Sequence, residues 1–142
     1  MIDKSHIGAV VSRHSVDVEA GRLRFFAKAI GQTDQRYSHR EPDQPLPVPP
    51  TFLFCLDMDA PNPRATMELL NIDIGKVLHG EQSFTYHRMA FAGERLTFEG
   101  RIADIYDKKG GTLEFVVRET RVTNQDGELV AELRNSLVVR NS

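Results

Sequence analysis

The sequence predicts an α+β fold in which one antiparallel sheet of about five strands curls around a central apolar helix. Three observations predict it. The first half of the chain carries helical periodicity and the second half a period of two. All seven prolines fall between Pro42 and Pro63, where the two halves meet. The segment Phe52-Leu53-Phe54-Cys55-Leu56 is apolar on every side, as expected of a helix enclosed by other elements.

The elements follow in order. Val10, Val11 and Val16 mark a first strand. Asp17 is placed to cap a helix with Glu19 in its first turn, near the positive end of the dipole. Leu23, Phe26, Ala27 and Ile30 then recur at i, i+3, i+4 and i+7, one helical face. Gly31 stands at the C-terminal cap, because glycine accepts the left-handed conformation cheaply. The prolines make a stiff, surface-hugging connection, and Thr51 after Pro49-Pro50 is the expected N-cap of the central helix. That helix stops near Asp59, and Arg64 to Leu70 adds a further helical turn.

Beyond it, Phe84 and Tyr86, then Leu96, Phe98 and Ile102, then Leu113, Phe115 and Val117 alternate with polar residues, as half-buried strands do. Ala92-Gly93-Glu94, Lys108-Lys109-Gly110-Gly111 and Asn124-Gln125-Asp126-Gly127 read as the turns of a meander. It ends in a strand from about Glu128 to Arg140. A sheet with one apolar face and one apolar helix is satisfied by wrapping the sheet around the helix, the hot-dog arrangement. Its open edge invites pairing with a second protomer, so a dimer is expected.

Length and composition set limits on function. The 142 residues suit one domain, read here as residues 1–142. A net charge of −2 with 18 basic and 20 acidic residues scattered along the chain argues against a nucleic-acid partner. Residues 1–8 lack the apolar core of a signal peptide, and no apolar run is long enough for a membrane span. Cytoplasmic location and no membrane partner are expected. The single cysteine, Cys55, excludes an internal disulfide and reads as packing material. His79, Glu81 and His87 match no common zinc spacing, and no metal is expected.

Three stretches carry a resemblance: Phe26-Ala27-Lys28-Ala29-Ile30-Gly31 followed by Tyr37; Pro49-Pro50-Thr51-Phe52; and His79 through Arg88 with Ala92-Gly93-Glu94. Together they resemble the amino-terminal domain of MaoC-like dehydratases, over roughly Ile7 to Arg140. They are similar also to the substrate-binding subunit of heterodimeric (R)-3-hydroxyacyl-carrier dehydratases. The resemblance implies reversible hydration of an enoyl thioester, with acyl-CoA or acyl carrier protein as substrate and no cofactor. Elimination of this kind needs a base for the α-proton, an acid for the leaving hydroxyl, and donors for the enolate-like oxygen.

In active relatives the acid and base are an aspartate and a histidine five residues apart, after a glycine that aligns on Gly31. Here Gln32 and Tyr37 occupy those places, and neither performs that proton transfer near neutral pH. Asp34 and His39, two residues later, restore the separation of five and are the catalytic candidates. Gln32, Tyr37, Thr51, Phe52 and His79 are the substrate-binding candidates; Thr51 would begin a helix whose first amides polarise a thioester carbonyl. The resemblance thus implies an acyl-thioester-binding subunit without the usual dyad, paired as a homodimer or with a catalytic hot-dog subunit. The alternatives are a self-sufficient hydratase using Asp34 and His39, and a non-catalytic thioester-binding regulatory or scaffold dimer.

Overall fold

The computed structural model describes residues 1–141. Five antiparallel strands, β1 (Val10–Asp17), β2 (Val77–Tyr86), β3 (Arg95–Lys108), β4 (Leu113–Thr123) and β5 (Leu129–Arg140), form one sheet of order β1-β3-β4-β5-β2. Three helices, α1 (Ala20–Ala29), α2 (Phe52–Asp57) and α3 (Ala65–Leu69), lie between β1 and β2 in sequence. The inward side of the sheet curls around α2, whose Leu53 and Leu56 are almost wholly buried against Leu96, Phe98, Val122 and Val130. This is the hot-dog fold.

Helix α1 forms as its spacing predicts and ends in a Schellman motif. Gly31, at φ 72°, donates its N–H to the Lys28 carbonyl, and Gln32 donates to Ala27. Leu23 and Ala27 are buried, but Ile30 sits past the last turn and is exposed. Asp17 does not cap this helix. It closes β1 in an ion pair with Arg95, and Glu19 takes the N-cap position without a side-chain bond.

The meander covers only β3, β4 and β5. Ala92-Gly93-Glu94 does not fold β2 back on β3, because β2 pairs with β5 at the opposite edge. Residues 87–94 instead cross the end of the sheet, bonded to Val130, Leu46 and Val18. The proline segment meets this crossing: Val48 donates to Ala90, and Leu46, Pro47, Val48 and Pro49 are buried. That part is therefore core, held by tertiary pairing, and only the chain before it hugs the surface.

Strand β4 takes the opposite phase from the one its apolar residues suggest. Glu114, Val116, Arg118, Thr120 and Val122 face inward, whereas Phe115 lies on the other side, stacked on Tyr106 at 4.8 Å beneath Lys108. The inward face accordingly holds two apolar clusters. One surrounds Leu53, Leu56 and Phe98; the other comprises Leu70, Ile102, Ile105 and Val116. Between them the strand register sets Ser12, Gly100, Arg118, Thr120, Asn135 and Gln82 in a polar row across all five strands.

Candidate functional site

A cleft of about 290 Å³ opens onto this row. Its roof is Phe54 and Met58 of the α2 region with the segment through Met67, and its floor is the inward side of β2, β4 and β5. Phe54 and Cys55 of α2 are only partly buried, so the helix is not enclosed all round: its Phe54 side faces the cleft. Ile74, Val77, Leu133 and Leu137 add apolar wall. His79 and Gln82 stand at the exposed rim on β2.

Arg118 is the charge at the floor. Its guanidinium donates to Asp57 Oδ2 at 2.7 Å and to Ser12 Oγ at 2.7 Å, tying α2, β4 and β1 together. The Asp57 side chain is 9% exposed and that of Arg118 15%. Gly100 makes the seat: a Cβ there would lie 2.4 Å from Arg118 Nη2 and 2.7 Å from Cζ. Breaking such a buried pair from one side leaves an uncompensated charge and costs about 3–5 kcal/mol. Sequence reasoning missed this arginine. The available signal was Gly100, since glycine within a strand marks a close approach by another group.

His14 packs nearby, stacked on Phe98 with ring centroids 5.2 Å apart. The Leu56 carbonyl can only accept, so His14 Nε2 donates to it across 3.1 Å and anchors the C-terminal end of α2.

The residues singled out in the sequence lie at several places. Asp34 begins a 3-10 turn, Gln35–Tyr37; the Arg36 backbone N–H donates to its carboxylate and, with the Arg36 guanidinium 2.9 Å away, holds its pKa below the usual value. Gln32 Oε1 accepts the Asp34 N–H at 3.1 Å. His39 donates its backbone N–H to Gln35, while its ring Nδ1 is buried with no partner. Among the described residues no hydrogen bond joins Asp34 to His39. Tyr37 is buried and lines a second, apolar slot of about 200 Å³ with Leu53, Tyr86 and Met89.

Thr51 occupies the N-cap of α2 but makes no side-chain cap bond, and its backbone is left-handed at φ 75°. Its N–H donates to the Tyr86 hydroxyl at 2.8 Å, and the Phe52 N–H donates to the Pro49 carbonyl. Two amides at this end are thus already engaged. Burial pushes the Tyr86 hydroxyl pKa up. Phe52 lies in the core against Phe26, ring centroids 4.8 Å apart. A bulge at Gly80 breaks the alternation of β2, so His79 faces the cleft while Glu81 points away. His87 is bonded to Glu132 at 2.9 Å.

The sequence profile of the FAS1-like, dehydratase domain region family matches residues 5–133. The chain belongs to this family. A UPF0336 protein of Saccharopolyspora erythraea is 31% identical to this chain over 147 residues, covering 98% of this chain and 92% of that protein. A UPF0336 protein of Parafrankia sp. is 35% identical over 135 residues, covering 88% and 86%. The fold of this dehydratase-family chain is similar to the HadBC (3R-hydroxyacyl-ACP dehydratase) complex from Mycobacterium tuberculosis, with a TM-score of 0.76 and 25% identity over 94% of this chain and 96% of that one. A MaoC-like dehydratase from Phytophthora capsici shares the fold at TM-score 0.78 and 21% identity, covering 97% of this chain and 49% of that chain. The resemblance to MaoC-like dehydratases therefore holds. No helix is long and apolar enough to cross a membrane among the described residues.

Proposed function

We propose that this chain is the acyl-thioester-binding subunit of an (R)-specific enoyl hydratase or 3-hydroxyacyl dehydratase system, with acyl-CoA or acyl carrier protein as substrate, and that a second hot-dog subunit supplies the acid and base. The observation that carries this reading is the state of the loop after Gly31. Gln32 and Tyr37 stand in the register of the dyad, Tyr37 is packed inward, and Asp34 is committed to Arg36. A carboxylate held ionised by a backbone N–H and, beside it, a guanidinium is a poor proton donor.

The cleft supports the binding half of the proposal, because a cleft with apolar walls beside a helix suits an acyl chain. The partner half rests on β2. This edge strand is exposed along nearly its whole length, with Leu78 at 49% and Tyr86 at 47% exposure, and its unpaired backbone groups suit a second sheet edge. The self-sufficient alternative retains one favourable observation, the buried, unpartnered Nδ1 of His39.

Reconstitution tests the proposal. Crotonyl-CoA is incubated with a homologous catalytic subunit, with and without this chain. Turnover with both that exceeds the sum of the separate rates is expected; a rate unchanged by this chain sinks the subunit assignment.

A further inference from the structure

The polar row is out of place in a groove meant for a plain hydrocarbon. On β3, β4 and β5 the row is flanked by apolar inward residues: Phe98 and Ile102 around Gly100, Val116 and Val122 around Arg118 and Thr120, Leu133 and Leu137 around Asn135. An alkyl chain laid across it would strip water from hydrogen-bonding groups and return nothing, weakening binding by about tenfold for each group left unpaired.

The chemistry of the row narrows what it can receive. Arg118 is neutralised by Asp57 and bonded to Ser12, so an anion gains little net attraction there. The remaining groups are uncharged. Asn135 and Thr120 make no side-chain hydrogen bond among the described residues, and the Gln82 amide reaches only the adjacent Ser83 carbonyl at a long 3.4 Å. All three line the cleft. A side-chain amide offers both donor and acceptor, and the threonine hydroxyl does the same. Such a set matches a neutral oxygen that accepts, donates or does both.

We infer that the cleft selects acyl thioesters whose chain carries a hydroxyl or keto oxygen at the fifth carbon or beyond, bonded by Asn135 together with a neighbour across the sheet, Gln82 or Thr120, with the methylenes on Phe54, Met58 and Leu133. The inference rests on the thioester-binding reading above and names the substrate class for it.

The test is calorimetric titration of the folded chain with octanoyl-CoA and with a panel of octanoyl-CoAs bearing one hydroxyl or keto group at each carbon from the fifth to the eighth. At least one oxygenated member binds about tenfold or more tightly than octanoyl-CoA. In Asn135→Leu this preference falls to near unity while octanoyl-CoA binding holds or improves. Gln82→Leu, on the exposed rim, provides a second variant should Asn135→Leu fold poorly, and it narrows the preference in the same direction. Octanoyl-CoA binding as tightly as every oxygenated member overturns the inference and leaves thioester binding standing. Failure of every thioester to bind overturns both.

Discussion

Removing Arg118 from one side of its pair with Asp57 should be among the most damaging single changes in this protein. Arg118→Met keeps most of the side-chain length but strips Asp57 Oδ2 of its 2.7 Å charge-assisted bond, leaving a carboxylate 9% exposed at the end of α2. The cost is about 3 kcal/mol, the lower end of the range for buried pairs, because the cleft admits some water to the stranded group. Asp57→Leu strands the guanidinium instead, at a similar cost. In the double variant no charge is left buried, and apolar side chains fill the space between the two clusters, so most of the loss returns and a coupling energy of about 2 kcal/mol or more is expected. Urea unfolding of the four proteins measures it, provided the slope with denaturant stays constant. Additive single costs, or an Arg118→Met cost below about 1 kcal/mol, would refute the view that this pair holds α2 to the sheet.

Other residues give independent checks. Gly100→Ala drives a methyl into the Arg118 seat and should destabilise by about as much as Arg118→Met, with the two changes clearly non-additive in the same urea assay. Glu114 is subject to burial, which raises its pKa, but the Ile2 N–H, the Asn141 amide and the N-terminal charge outweigh this and hold it below the usual value. Its stabilising contribution is therefore complete above the unfolded value of about 4.3 and lost as pH falls through the folded one, so the gap between wild type and Glu114→Gln should shrink on acidification below about pH 4.3. Thr51→Gly relieves a left-handed β-branched residue and should raise stability by about 1 kcal/mol, read as a higher urea midpoint. Burial pushes the Cys55 thiol pKa up, so its alkylation by iodoacetamide at pH 8 should be slower than that of a free cysteine, and a rate equal to the free thiol's would contradict this.

Much of the fold was legible in the sequence because local and tertiary preferences agree there. Leu23 and Ala27 at helical spacing, Gly31 at the C-terminal end of α1, and the buried Leu53 and Leu56 of α2 all lie where periodicity puts them. The misreadings have specific causes. A turn signal at Gly93 reports a local reversal, not which strand β2 pairs with, and that pairing is decided by how the sheet closes around α2. In β4 both phases carry apolar side chains, so counting them favours Leu113, Phe115 and Val117, although the inward phase contains Arg118. An arginine reads as surface in any pattern argument, because its partner Asp57 is 61 residues away in sequence. The polar loop was legible as composition, whereas the hydrogen-bond commitments of Asp34 needed coordinates.

The central claim is that this chain binds the thioester without performing the chemistry. Its most direct test is hydration of crotonyl-CoA by the purified chain alone, compared with Asp34→Ala and His39→Ala. No turnover above the uncatalysed rate is expected in any of the three. Turnover by the wild type that either substitution abolishes would contradict it and identify a self-sufficient hydratase.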